Sequence, residues 1–373
     1  DSAHQFFFPI ALEGAKWKEE LVGGIPLVFV KTMPATDSYI ARMLNMALFY
    51  KNLFPAARDY AQIHGKPDVI LASSVHPLTL VAGVQIARKF KIPCICEVRD
   101  LWPESLIAYG IIGRKNPITR LLYKGEKWIY KKSDAIIMTW EGGKDYIIEQ
   151  GWTREIALNK MFHISNGVDV ESFDRNSIKY PVTDSDLAAT DYLNVVYAGS
   201  IRKVNNLGLL VDAAKIIQGK GYNNIRFLFY GSGNEYDTLI QKCQDENINN
   251  VLFKGRVDKR FIPSILKQAH VNVLHNSSTS LDKYGQSQNK LFEYLAAGKC
   301  IVQTYTTGYS ILERYEYGIS ASVQNAEEIA KTVIAACTKM ELNKAMGDNA
   351  RRAAFDFDFA KLTDKLVDVI ESV

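Results

Sequence analysis

The sequence predicts an α/β protein of two Rossmann-like domains that meet across a cleft. Three observations carry this prediction. Short apolar runs of strand length alternate with helical patterns along most of the chain. The alternation breaks once, over residues 174–191 (DRNSIKYPVTDSDLAATD), a polar stretch that holds a proline and little apolar periodicity. At 284–302, YGQSQNKLFEYLAAGKCIV runs from polar turn residues into a helix and then, past Gly298, into an apolar strand. Open α/β sheets bind ligands at the carboxyl ends of their strands. With 373 residues and 47% hydrophobic content, the chain can bury two full cores.

Taken in order, residues 1–10 (DSAHQFFFPI) read as neither a start nor a first strand, so the first βα unit is expected to be missing from the chain as given. Strands follow at 27–32, 68–73, 93–98, 135–139 and 161–164, separated by helices such as 39–63 and 78–90. This gives a first domain over 1–173 and a linker over 174–192. A second domain, 193–354, has strands at 193–198, 226–230, 251–254, 271–274 and 300–303. In the last segment, 355–373, Phe359, Leu362, Leu366, Val369 and Ile370 form a helical stripe that needs a partner surface.

Composition excludes several classes. A net charge of +4 is too small to argue nucleic-acid binding, and no zinc, RRM or KH pattern is present. The five cysteines lack metal-ligand spacing. Cys94 and Cys96 are expected to face opposite ways on one strand and not to pair, which points to a reducing compartment. No apolar run is long enough to cross a bilayer, and no signal peptide is read.

The chemistry is read from a few segments. At a helix start, orphan N–H groups and the positive end of the dipole attract an anion, a nearby lysine adds a full charge, and a carboxylate can hold sugar hydroxyls. Asn289, Lys290, Leu291 and Glu293 stand in that position. In EVRDLWPE (97–104), Arg99 and Asp100 lie at the end of a predicted strand, and His76 in SSVHP follows another. Gly199 and Ser200 open the loop after 193–198, which continues through Arg202, Lys203 and Asn205. Gly231 and Gly233 in FYGSGNE fit a tight strand-to-helix turn. Arg120, Lys124, Lys127 and Lys131 recur at helical spacing on one face, and the aromatic run at 6–8 and Lys16-Trp17-Lys18 belong to the same domain; a solvated face and contact with a membrane both fit. The DxD-like strings at 184–186 and 356–358 fall in the linker and at the start of the last helix, away from the strand ends where a metal-bound ligand would sit.

Together with SNGVD (165–169), VVYAGSI (195–201) and FKGRV (253–257), these segments resemble the family-4 glycosyltransferases, retaining enzymes of the GT-B fold. Within them the chain resembles the bacterial surface-polysaccharide branch, which includes capsule and O-antigen enzymes of the N-acetylfucosamine-transferase type. The resemblance covers nearly the whole chain. It implies that Glu293 holds the donor ribose, that Lys290 meets the diphosphate, and that backbone around Arg256 and Val257 holds the base. Arg99, Asp100 and Lys290 become the catalytic candidates, and His76 a contact for acceptor or donor. Three positions depart from the family pattern. Ser200 and Asn205 replace an arginine and a lysine, with Arg202 and Lys203 between them as substitutes; Gly285 replaces a glutamate; Arg99 replaces a histidine. The resemblance further implies a UDP-sugar donor, no metal or other cofactor, and an acceptor glycan on undecaprenyl diphosphate or a similar carrier. It places the enzyme in the cytoplasm, peripheral at the inner face of the membrane, with the basic helix on anionic lipid and the last helix crossing back to the first domain. A UDP-sugar 2-epimerase of the same fold and a non-catalytic GT-B partner protein are the alternatives.

Overall fold

A computed structural model describes residues 12, 14–33, 39–74 and 76–373. The aromatic run at 6–8 lies outside them. The chain forms two compact units. One takes the described residues up to Met138 with Ile147–Phe162 and Val369–Val373; the other takes Thr139–Tyr146 and His163–Asp368.

The first unit opens with a hairpin, β1 (Trp17–Val22) and β2 (Ile25–Val30), paired antiparallel with Trp17 opposite Val30. The sequence reading placed a single strand here. Its missed signal is Gly23-Gly24, whose φ angles of 61° and 83° suit a two-residue turn that needs positive φ at both positions. After the helix Tyr39–His64, strands β3 (Ile70–Ser73), β4 (Cys94–Val98), β5 (Ala135–Met138) and β6 (Met161–His163) form a sheet in that order, and β3, β4 and β5 run parallel. The helix Pro77–Phe90 starts on a proline, which costs nothing at a first turn, and stops at Lys91 in the left-handed conformation, φ 55°. Cys94 and Cys96 do not face opposite ways. Residues two apart on a strand share a face, and here the two thiols lie close enough for each to shift the other's ionisation. Both remain free.

In the second unit, strands β7 (Leu193–Ala198), β8 (Ile225–Tyr230), β9 (Val251–Gly255), β10 (Val271–Leu274), β11 (Cys300–Gln303) and β12 (Gly318–Ser320) form one parallel sheet, ordered β12-β11-β10-β7-β8-β9. Period-two alternation divides its side chains between two cores. Val195, Tyr197, Phe227 and Val273 join helices Gly208–Gly219 and Ala326–Thr338 on one face. Val196, Ala198, Leu228 and Leu274 join helices Asn289–Ala297 and Met340–Asp356 on the other. Strand order reverses between β10 and β7, which makes their carboxyl ends the topological switch point.

The polar stretch at 174–191 is not structureless. Helices Val170–Lys179 and Ser185–Ala188 occupy much of it, capped by Asp169 and Asp184, which accept from the backbone N–H of Ser172 and Asp186. The cap residues carried the missing signal. The final helix is Phe359–Glu371; of its expected stripe Leu362 and Val369 are buried, whereas Phe359 is 51% exposed.

Candidate functional site

At the switch point of the second unit lies Lys290, in the first turn of Asn289–Ala297. Its Nζ donates to the His275 carbonyl at 2.6 Å and to Asn276 Oδ1 at 2.7 Å, and it sits 4.9 Å from the centre of the Tyr197 ring. All three partners are neutral. Burial without a counter-charge drives its pKa down to about 7. Gln288, the residue capping this helix, makes no side-chain cap bond; Leu291 N donates to Gln288 O at 3.0 Å, which leaves the N–H groups of Asn289 and Lys290 without a side-chain cap beside the ammonium. The helix is fixed to the strand end by Tyr294, whose hydroxyl accepts from Ala198 N at 2.9 Å and donates to Ala198 O at 3.2 Å.

Glu293 lies one turn further on and is 24% exposed. Its carboxylate is 3.4 Å from the ammonium of the largely exposed Lys259, and burial raises its pKa against that attraction. Asn289 is exposed and Leu291 is buried in the core. The preceding turn is clamped by SNGVD: Asn166 N donates to Ser287 Oγ at 2.8 Å, and its side-chain amide to Ser287 O. Gly285 has φ 107° and ψ −168°, a region closed to side chains. A glutamate at this position would meet a backbone that strains any side chain.

Gly199 and Ser200 follow β7 directly. Ser200 Oγ donates to Asn205 Oδ1 at 3.0 Å, so the two residues that stand where the family pattern has cations bond each other. Arg202 and Lys203 are exposed, and their side chains have no ion pair among the described residues. Gly231 and Gly233 serve the neighbouring loop: a Cβ on Gly231 would stand 1.8 Å from Gly199 O, and one on Gly233 2.1 Å from Ile201 O. Gly231 N donates to Gly255 O at 2.8 Å, which brings the loop after β9 alongside, with Arg256 exposed and Val257 packed on the core. The structure thus gathers Gly199, Ser200, Gly231, Arg256 and Lys290 at the carboxyl end of a single sheet. It adds two residues that the sequence reading passed over, Tyr197 and His275; the only signal for the latter was a histidine closing the apolar run VNVL.

In the first unit, Arg99 and Asp100 follow β4, with Arg99 N donating to Ser74 Oγ at 2.9 Å. Burial raises the Asp100 pKa, with Arg99 opposing, yet the two side chains form no ion pair with each other. His76 precedes Pro77–Phe90; its ring meets Phe49 edge-on at 6.2 Å, its Nδ1 is buried without a partner among the described residues, and burial lowers its pKa. The basic helix Pro117–Lys132 is less uniform than the sequence suggested. Lys127 and Lys131 share Glu155, at 2.5 and 3.0 Å, while Arg120 and Lys124 are exposed and unpaired among the described residues. Ile118 and Leu121, 60% and 68% exposed, flank them. The DxD-like strings are occupied structurally: Asp184 and Asp186 each hold Lys254 at 2.8 Å, and Asp358 accepts from Val170 N and Ala360 N.

Residues 34–172 match the family described as Glycosyltransferase Family 4, and residues 184–353 match Glycosyl transferases group 1. Between them these matches take in most of the chain, which belongs to the family-4 glycosyltransferases of GT-B fold. Two relatives from Bacillus subtilis (strain 168) are similar to it. "Putative glycosyltransferase EpsD" is 26% identical over 258 residues, 67% of this chain and 63% of that protein. "Putative teichuronic acid biosynthesis glycosyltransferase TuaH" is 25% identical over 234 residues, 60% and 54%. The chain therefore spans less than two thirds of the length of each. Among solved structures, sucrose-phosphate synthase from Thermosynechococcus elongatus has a TM-score of 0.70 at 18% identity, covering 92% of this chain and 83% of that one. Anabaena Alr3699/HepE in complex with UDP has a TM-score of 0.67 at 15% identity, covering 89% and 84%.

Proposed function

We propose that this chain is a retaining glycosyltransferase that moves a sugar from a UDP-sugar to a lipid-linked glycan of a bacterial surface polysaccharide. The observation that carries this is Lys290: a half-buried lysine whose ammonium has only neutral partners, at the switch point of a parallel sheet and beside a helix start with no side-chain cap. Such a group is incomplete until an anion arrives. Glu293, one turn away, offers two acceptor oxygens to adjacent ribose hydroxyls. The UDP-bound Alr3699/HepE supports a uridine donor, and the name of TuaH supports a surface-polymer pathway.

In the transfer, the leaving diphosphate gains charge as the glycosidic bond breaks, and the Lys290 ammonium stabilises that charge more in the transition state than before it. The acceptor hydroxyl enters on the face that the diphosphate leaves, and a diphosphate oxygen takes its proton. Arg99 and Asp100 are assigned to sugar hydroxyls or phosphate and His76 to acceptor or donor. Arg120 and Lys124, flanked by exposed Ile118 and Leu121, are assigned to the anionic lipid surface that carries the acceptor. No metal is needed in this scheme.

Titration calorimetry with UDP and a panel of nucleotide sugars tests the reading. UDP and one UDP-sugar should bind, and a chain that binds no nucleotide sinks it. The Ser200–Asn205 bond and Gly285 favour a second reading, a GT-B protein that binds a nucleotide sugar without transferring it. Binding of the donor with no turnover on any lipid-linked acceptor would select that one.

A further inference from the structure

His275 follows the last residue of β10 and is fully buried, at 0% exposure. Its Nε2 lies 2.9 Å from the Asn206 carbonyl and its Nδ1 2.7 Å from Thr304 Oγ1. Burial lowers its pKa to about 4, so the ring is neutral and has one N–H. A carbonyl can only accept, which puts that proton on Nε2 and leaves Nδ1 to accept from the threonine hydroxyl. Asn206 closes the loop that follows β7, in the left-handed conformation with φ 53°. The carbonyl of His275 meanwhile holds the Lys290 ammonium at 2.6 Å. One residue thus grips the loop by its ring and the lysine by its backbone. Tyr197 forms the floor between them, its hydroxyl donating to Ser200 O at 2.9 Å and its ring face turned to the ammonium.

A core histidine that merely satisfies its own nitrogens could bond any two groups. Here its three contacts join the loop after β7, the loop after β11 and the lysine of the helix start. We propose that His275 is a positioning residue for diphosphate recognition: it sets the spacing between the 199–206 loop and the Lys290 ammonium, so that the anion meets a cradle already formed. This rests on the donor-diphosphate reading given above.

The test compares UDP with uridine, because only the former presents the diphosphate. His275→Leu should weaken UDP binding by roughly tenfold or more while uridine, held by base and ribose contacts, changes less than about twofold. His275→Gln, whose amide can still donate to Asn206 O, should recover most of the loss. Equal losses for UDP and uridine, or unchanged UDP affinity in His275→Leu, would overturn the proposal. If His275→Leu does not fold, Thr304→Val decides: a loss confined to UDP supports the role, and no loss overturns it. A wild type that ignores UDP would instead count against the nucleotide-sugar reading. In that case the pH profile of Lys290 acylation by acetic anhydride, followed by peptide mass spectrometry, decides on His275. Its midpoint should move in His275→Leu, because the ammonium's distance from its carbonyl and ring partners changes, and should return toward the wild-type position in His275→Gln; an unmoved midpoint in His275→Leu overturns the placement.

Discussion

Lys290 has a charge that the free protein does little to balance, and this makes it the residue most open to experiment. Its folded pKa of about 7 lies below the ordinary lysine value, so the unfolded chain holds the proton more tightly. Stability of the free protein should therefore rise as pH climbs from about 7 toward about 10.4, the pKa of an unfolded lysine, and that gain should vanish in Lys290→Met. An anion on the ammonium reverses the bias. UDP binding near pH 8 should take up a proton, visible as an enthalpy that depends on the ionisation heat of the buffer, and Lys290→Met should abolish the dependence. Lys290→Ala should also lower kcat/KM far more than it lowers Tm; activity within about a factor of two would remove the lysine from the site. Glu293→Ala should weaken UDP by about 1.5–3 kcal/mol, the range for a hydrogen bond to a charged group, and unchanged affinity in a folded variant would free Glu293 of the ribose. That both stand in the first turns of a helix was legible in the sequence, because a charge beside a helix start has a recognisable spacing. His275 and Tyr197 were not, since a buried histidine or tyrosine at a strand end differs from any other core residue only in which loops it touches.

At the scale of elements, the loops are fixed by close backbone approach. A Cβ on Gly233 meets main chain, which cannot swing aside, so Gly233→Ala should cost about 1–3 kcal/mol in urea unfolding and disturb the 199–206 loop with it. Wild-type stability would show that the loops have room to part. The basic helix makes a sharper prediction than its sequence allowed. Because Glu155 already neutralises much of Lys127 and Lys131, reversal of Arg120 and Lys124 to Glu should release the protein from anionic vesicles at low salt, whereas reversal of the other two should matter less. A wild type that ignores such vesicles leaves this face merely solvated. Spacing can place four cations on one helix face, but their counter-ion came from residue 155, outside the helix. The hairpin and the two linker helices escaped for a related reason: a Gly-Gly turn and an aspartate cap are single-residue signals set in polar surroundings.

For the molecule as a whole, both sheets were readable because parallel strands buried on both faces appear as continuous apolar runs, and β7 emerged with its predicted bounds. Strand β12 did not, being three residues long and containing a glycine. If the nucleotide is held by the second unit, hydrogen exchange on adding UDP should slow most in the segments after β7, β8, β9 and β10 and at the start of Asn289–Ala297. Strongest protection within β3, β4 and β5 would assign the nucleotide to the first unit.

The conformation of Gly285 bears on what a substitution in this turn can achieve. A glutamate placed there would inherit a backbone that only glycine tolerates, next to a turn where Gly308 already lies against Lys283, leaving 2.0 Å for a Cβ. The variant would be strained before any new contact could form. A side chain at 285 therefore requires the turn itself to be rebuilt, and main-chain geometry, more than charge, decides what this position can accept.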